Sequence, residues 1–302
     1  MVTLQSATKS DGRTIASAGP GSKPRPAPRP GFARRCDSCT LRAVATYREL
    51  APPAALARHV TCLWFQTTDE ASHHRVVPDA CADIVAVSGQ APVVAGPATA
   101  AQLVPLPARS LVVGLRFRPG AAPSLLKISA RELLDDSVPL AELWPADGAR
   151  LGDDIESSRS AGDRLGTLAA AIIDKLPDAD PLDPVVTGAV RWLARHPDGR
   201  VKQLAAALGL GDRQLLRRFD AAVGYGPKVL QRVLRFQRLL VAAANTRKHT
   251  RLAELAATAG YIDQPHMTRD VRELTGVTPG ELLTADYKPT AMAEFLRACD
   301  AV

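Results

Sequence analysis

No apolar run in this 302-residue chain approaches the roughly 20 residues needed to cross a bilayer. The opening segment also lacks the apolar core of an export signal. Cysteine is scarce, with five residues scattered and odd in number, which argues against a disulfide framework. These absences together predict a reduced, cytoplasmic setting. Neither a Ser/His/Asp arrangement nor a phosphate-binding glycine loop is present. The chain is therefore not expected to be an enzyme, and no metal or cofactor is expected.

Charge is abundant and unevenly placed. Residues 1–40 hold 7 basic against 2 acidic side chains, residues 41–184 hold 13 against 18, and residues 185–288 hold 17 against 9. A basic C-terminal block beside an acidic middle fits a nucleic-acid module joined to a separate domain. An ordinary solvated basic surface is the alternative.

The composition divides the chain. Residues 1–43 form a basic Ser/Gly/Pro-rich head, including PGSKPRPAPRPG, with too little apolar surface to offset its ordering entropy; disorder is expected. Residues 44–176 read as a sensor or dimerisation domain. Its strand-length runs are VTCLWF (60–65), RVVPDACADIVAV (75–87), PVVAG (92–96) and SLVVGLRFRPG (110–120). Short helices follow, then an amphipathic helix over 160–176 that is either a dimer contact or packed on its own domain. PDADPLDP (177–184) is the clearest linker, residues 185–288 read as helical throughout, and 289–302 as a tail. The predicted fold class is α+β: a β-rich barrel or sandwich-like domain with helices, followed by an all-α domain.

The all-α part contains one pattern twice, at an offset of about 52 residues. Leu215 maps to Met267, Arg217 to Arg269, Phe219 to Val271, Gly224 to Gly276 and Pro227 to Pro279. Each copy reads as a short Ala/Leu helix, a Gly-containing turn and a second helix with Arg on its outer face, the outline of a helix-turn-helix. In the first copy Leu204, Ala205 and Leu208 should face the core, with Leu215 and Phe219 beneath the second helix. Arg213 and Arg217 then point away, with Gln214 beside them. Arg can pair with guanine O6/N7 and Gln with adenine N6/N7. Arg218 and Lys202 are better placed for phosphates, and Leu216 for a thymine methyl.

In the second copy Asp263 can cap the helix and Pro265 is tolerated in its first turn. Met267 and Val271 should point inward, and Arg269 and Arg272 outward, with His266 and Thr268 on the shoulders; Gln264 completes the candidate DNA contacts. Fewer base readers here predict more positioning than reading. Asp183 is a candidate N-cap before Pro184. Pro227 opens a long helix (227–244) between the copies, whose Leu230, Leu234 and Val241 share one face.

Residues 185–288 resemble the two-helix-turn-helix DNA-binding domain of the AraC family of transcriptional regulators. The residues that carry the resemblance are Gly209-Leu210 with Leu215, Arg217 and Phe219, then Gly226-Pro227, Gly260-Tyr261-Ile262-Asp263, and Leu274-Thr275-Gly276-Val277-Thr278-Pro279. The resemblance implies double-stranded DNA as partner, with the two second helices in successive major-groove segments bridged by the long helix. RNA polymerase, a small-molecule effector and a second copy of the chain are further candidate partners. Gly211 stands where the family usually has a Ser N-cap, a departure that should cost a few tenths of a kcal/mol.

Residues 47–145 are similar to an uncharacterised domain often found ahead of this module. The landmarks are Tyr47, Trp64, Val77 through Asp83, Gly96-Pro97, Gly114 through Gly120, and Val138-Pro139-Leu140 through Trp144. Arg116 and Arg118 should share one strand face, where Asp79 and Asp83 can pair with them, as a structural ion pair or as the lining of an effector site. The competing class is an Ada-type protein, which pairs a similar DNA-binding module with a zinc-bound, methyl-accepting cysteine. Cys36-x-x-Cys39 invites that reading, but Cys62 and Cys81 do not supply a second C-x-x-C pair.

Overall fold

The computed structural model describes residues 46–245, 251–284 and 290–300. Six strands form one antiparallel sheet in the spatial order β1 (Thr46–Leu50), β2 (Val60–Thr67), β7 (Leu111–Phe117), β4 (Asp83–Val87), β5 (Val93–Ala95) and β8 (Ser137–Pro139). A separate antiparallel ribbon joins β3 (Ser72–Val76) to β6 (Gln102–Leu106).

Alternation along the strands sorts side chains onto two faces. Leu63, Ile84, Ala86, Val113, Leu115 and Phe117 bury against the helices α1 (Ala122–Leu126), α2 (Leu140–Leu143), α3 (Gly148–Ser157) and α4 (Ala161–Lys175). The other face carries Cys62, Trp64 and Val112, which pack with Leu106 of the ribbon. The result is the expected α+β, sandwich-like domain.

α4 starts at its Ser160 cap, which accepts a hydrogen bond from the Asp163 amide. It buries Leu165, Leu168 and Ile172 against the sheet, each contributing roughly 1.5–3 kcal/mol. The apolar stripe is thus consumed within its own domain, the second of its two expected roles. The run 75–87, read from the sequence as one stretch, is two strands separated by a loop. Pro78 removes a donor from any ladder, and Ala80 takes a left-handed φ of 67°.

The linker is fastened rather than loose. The Asp180 amide donates to Ser124 O at 2.9 Å, and Lys127 pairs with Asp180 at 2.7 Å. Asp183 then caps α5 (Pro184–Arg195) by accepting from the Val185 and Val186 amides, as its sequence position predicts.

The helical module continues with α6 (Val201–Ala207), α7 (Asp212–Val223), α8 (Pro227–Ala244), α9 (Leu252–Thr258), α10 (Gln264–Thr275), α11 (Pro279–Thr284) and α12 (Thr290–Asp300). Leu193, Leu204, Leu215, Phe219, Leu230, Leu234, Phe236, Leu255, Met267 and Val271 share one core around α8. Val241 packs on that core only in part. Residues 290–300, read as tail, are instead α12. Met292, Phe295, Leu296 and Cys299 are buried at i, i+3, i+4 and i+7, the spacing of a helical apolar stripe, and the helix packs on α5 and α8.

Candidate nucleic-acid interface

The first helix-turn-helix unit is α6, a turn and α7. Gly209 makes the turn at a φ of +62°, and Gly211 enters α7 with no side-chain cap. Only half a capping box exists: the Gln214 side chain reaches back, its Oε1 accepting from the Gly211 amide at 3.3 Å. Leu215, Phe219 and Val223 are buried beneath α7. Arg213, Gln214, Leu216, Arg217 and Arg218 are exposed on its other faces, and Lys202 is exposed at the start of α6. Arg218 is not free, since it pairs with Asp183 at 2.8 Å.

The second unit is α9, a turn at Gly260 (φ +85°) and α10. A side chain at Gly260 would also meet Pro197 at 2.7 Å, so glycine is required twice over. Asp263 caps α10, accepting from the His266 amide at 2.6 Å. Met267, Val271 and Leu274 are buried. Gln264, Pro265, Arg269 and Arg272 are exposed, while Thr268 is half-buried with its hydroxyl donating to Gln264 O at 2.9 Å.

His266 is half-buried on the shoulder of α10, like Thr268. Its ring lies edge-on to Tyr261 at 5.3 Å, and Nε2 stands 3.8 Å from Asp270. The aromatic ring and the carboxylate hold it on that shoulder.

The basic block of the module contains two contrasting groups. Arg232 pairs with Asp270 at 2.8 Å and with Glu273. Arg235 donates to Pro197 O at 2.9 Å and lies 5.3 Å from the Tyr261 ring. Arg238 pairs with Asp300 at 2.7 Å and also bonds Ala194 O. Those guanidiniums hold helices together. Arg213, Arg217, Arg269 and Arg272 make no side-chain hydrogen bond or ion pair to another described residue. They lie on the outer faces of α7 and α10, and Arg191, Arg200 and Arg251 are exposed elsewhere on the module.

In the N-terminal domain, Arg116 is clamped on the ribbon-facing side of the sheet. It reaches Asp83, its cross-strand neighbour, at 3.0 Å, Asp79 at 3.2 Å and Glu49 at 3.8 Å. Trp64 Nε1 donates to Asp83 at 3.0 Å, and the Tyr47 hydroxyl donates to Glu49 at 2.6 Å. Gly114 makes room, because a Cβ there would lie 2.3 Å from the Trp64 ring. Burial pushes the Asp79 carboxyl up to about 6 against the pull of Arg116. The pairing of Asp79, Asp83 and Arg116 is as expected, but Arg118 stands apart. β7 ends at Phe117, and Arg118 donates to Ala57 O at 2.8 Å instead. Tyr47, Glu49 and Trp64 were missed as members, although alternation along β1 and β2 places them on the Arg116 face.

Cys36 and Cys39 lie outside the described residues. Cys62 and Cys81 are buried thiols, and burial pushes both upward, away from the thiolate that methyl-acceptor chemistry needs. Among the described residues no group of His, Cys, Asp and Glu could hold a metal ion, and no helix is long and apolar enough to cross a membrane.

Residues 204–285 match the family model described as a helix-turn-helix domain, and residues 48–139 match a domain of unknown function (DUF6597). No curated protein matches the chain. Among solved structures, it is similar to the apo form of a ToxT variant from Vibrio cholerae, at 13% identity and a TM-score of 0.41, covering 74% of this chain and 97% of that one. It is also similar to the unsaturated fatty acid bound wild-type ToxT of the same organism, at 12% identity and a TM-score of 0.40, covering 74% and 95%. With the reader geometry and both family models in hand, the C-terminal third is an AraC-type helix-turn-helix module, the DNA-binding part of a transcriptional regulator, and it follows a domain of unknown function.

Proposed function

We propose that α7 and α10 enter successive major-groove segments on one side of a duplex, held at fixed separation by α8. The observation that carries this reading is the division among the arginines. Each reader buries its apolar face in a shared core and leaves on its opposite face two guanidiniums with no partner among the described residues. Arg213 and Arg217 read bases, guanine O6/N7 being the best match for a guanidinium. Gln214 keeps its amide donors for a base edge while its oxygen caps the helix. Leu216 offers an apolar contact to a thymine methyl. Lys202 neutralises a phosphate, and Arg218 does so once released from Asp183. On α10, Arg269 and Arg272 position the helix on the backbone, with Gln264, Pro265 and Thr268 nearest the groove floor.

The N-terminal domain supplies control in this reading. The segment 77–82 connects its buried charges to the reader module: Asp79 pairs with Arg116, Val77, Ala80 and Cys81 lie in the module core, and Gln237 of α8 donates to Pro78 O at 2.6 Å. An effector bound by Asp79, Asp83 and Arg116 would act on α8 through this segment. Arg118, bonded to Ala57 O, is left out of that site.

Selection of duplexes from genomic fragments with the full chain, followed by titration at fixed salt, tests the proposal. Arg217→Ala should weaken the selected site by about 1–3 kcal/mol and blur one base position. Unchanged affinity and unchanged base preference would remove Arg217 from the reading set.

A further inference from the structure

The last carbonyls of an α-helix have no partner within it. In both readers these carbonyls are met by donors from the N-terminal domain, and in the same combination. At the end of α7 the Ala130 amide donates to Ala221 O at 2.8 Å, and the Arg131 guanidinium reaches Gly224 O at a longer 3.5 Å. At the end of α10 the Ala101 amide donates to Leu274 O at 2.7 Å, and the Arg75 guanidinium donates to Thr275 O at 2.6 Å. One amide and one guanidinium therefore hold each reader, at the end where the helix dipole favours a cation. Gly224 and Gly276 close the two helices at φ values of +93° and +74°. A methyl group on Gly224 would lie 2.9 Å from Ala130 O and 3.0 Å from Pro97, so this docking is in close contact.

The two grips are fastened to each other. The Asp135 amide donates to Pro97 O at 3.0 Å, and its carboxylate accepts from the Thr99 amide and the Thr99 hydroxyl, both at 2.6 Å. The Gly96 amide donates to Asp136 O at 2.9 Å. From this tie, segment 97–101 runs to Ala101 on α10, and segment 129–136 runs back to Ala130 and Arg131 on α7. Asp135 is exposed and holds a left-handed φ of 58°, a conformation kept only where surrounding bonds impose it.

We infer that segments 97–101 and 129–136 form a yoke that, together with α8, fixes the separation and mutual angle of the two readers, with Asp135 and Arg75 as its positioning residues. The inference rests on the reading that both helices engage one duplex. Packing on the shared core around α8 holds the body of each reader but leaves the far ends unlinked, whereas a second link there makes a truss. The yoke thereby gives the uncharacterised domain a role in DNA recognition: it sets which half-site spacing the chain accepts.

The test uses the full chain and its selected duplex, with versions that gain or lose one base pair between the half-sites and a duplex that keeps only the first half-site. In the parent, a one-base-pair change should lower affinity by about a hundredfold, because simultaneous engagement is lost when geometry forbids it. In Asp135→Ala the same change should cost about tenfold or less, with binding to the single half-site unaltered. Arg75→Ala should behave alike. Asp135→Asn, which keeps an acceptor and tolerates the left-handed backbone, should restore the parental penalty. An undiminished spacing penalty in both alanine variants, or an equal loss on every duplex including the single half-site, overturns the yoke. If the parent itself binds without regard to spacing, the two-groove reading fails first and the yoke falls with it.

Discussion

α7 and α10 share a repeat but not a surface. α7 presents Arg213, Gln214 and Arg217 to solvent while entering from Gly211, which has no side chain to cap it. α10 is capped by Asp263, opens with Pro265 in its first turn, and sets His266 against Tyr261 and Asp270. Exposed Arg and Gln side chains are concentrated on the helix with the weaker start, and the side-chain cap is on the other. In the proposed reading the pair divides its labour, α7 identifying the site and α10 anchoring the module beside it.

The largest effects concern the anchors of each helix. Phe219 and Met267 are fully buried beneath α7 and α10. Phe219→Ala should cost about 3–5 kcal/mol and Met267→Ala about 2–5 kcal/mol in chemical denaturation; losses below about 1 kcal/mol would show that these helices do not hang on the shared core. Next comes reading against positioning. Arg217→Ala should lose about 1–3 kcal/mol of discrimination at one base position, whereas Arg269→Ala and Lys202→Ala should weaken all sequences alike and each flatten the salt dependence by about one unit. Equal loss of sequence preference from Arg217→Ala and Arg269→Ala would erase the division.

The caps supply the finer contrast. Asp263→Ala should destabilise the module by about 1 kcal/mol, read as a lower thermal midpoint. The smallest effect is a gain. Gly211 has an ordinary φ of −72°, and a Cβ there would meet nothing within 4 Å. Gly211→Ser should therefore stabilise by a few tenths of a kcal/mol, and a clear loss would mean that the glycine is kept for another reason.

The repeat was legible because its fixed points are local. Gly224 and Gly276 need left-handed backbone, Pro227 and Pro279 begin helices, and Leu215, Phe219, Met267 and Val271 follow a helical period. The same periodicity correctly put Arg213, Arg217, Arg269 and Arg272 outside. What failed to show was tertiary. Nothing near Arg218 in sequence announces Asp183, and nothing near His266 announces its edge-on contact with Tyr261. Arg118 was misplaced by one strand end, where Pro119 follows and the ladder stops at Phe117. The stripe of Met292, Phe295, Leu296 and Cys299 had the right spacing for a helix and was passed over as tail. β6 was hidden by Pro105 inside it, which a two-stranded ribbon tolerates and a central strand would not.

Hydroxyl-radical footprinting of the full chain on its selected duplex bears most directly on the two-reader claim. Two protected patches should lie on one side of the helix, centred about one turn or 34–36 Å apart. Arg269→Ala together with Arg272→Ala should remove the second patch while the first persists. A single patch, or two that vanish together when only α10 is altered, would contradict the proposal that each reader makes its own groove contact.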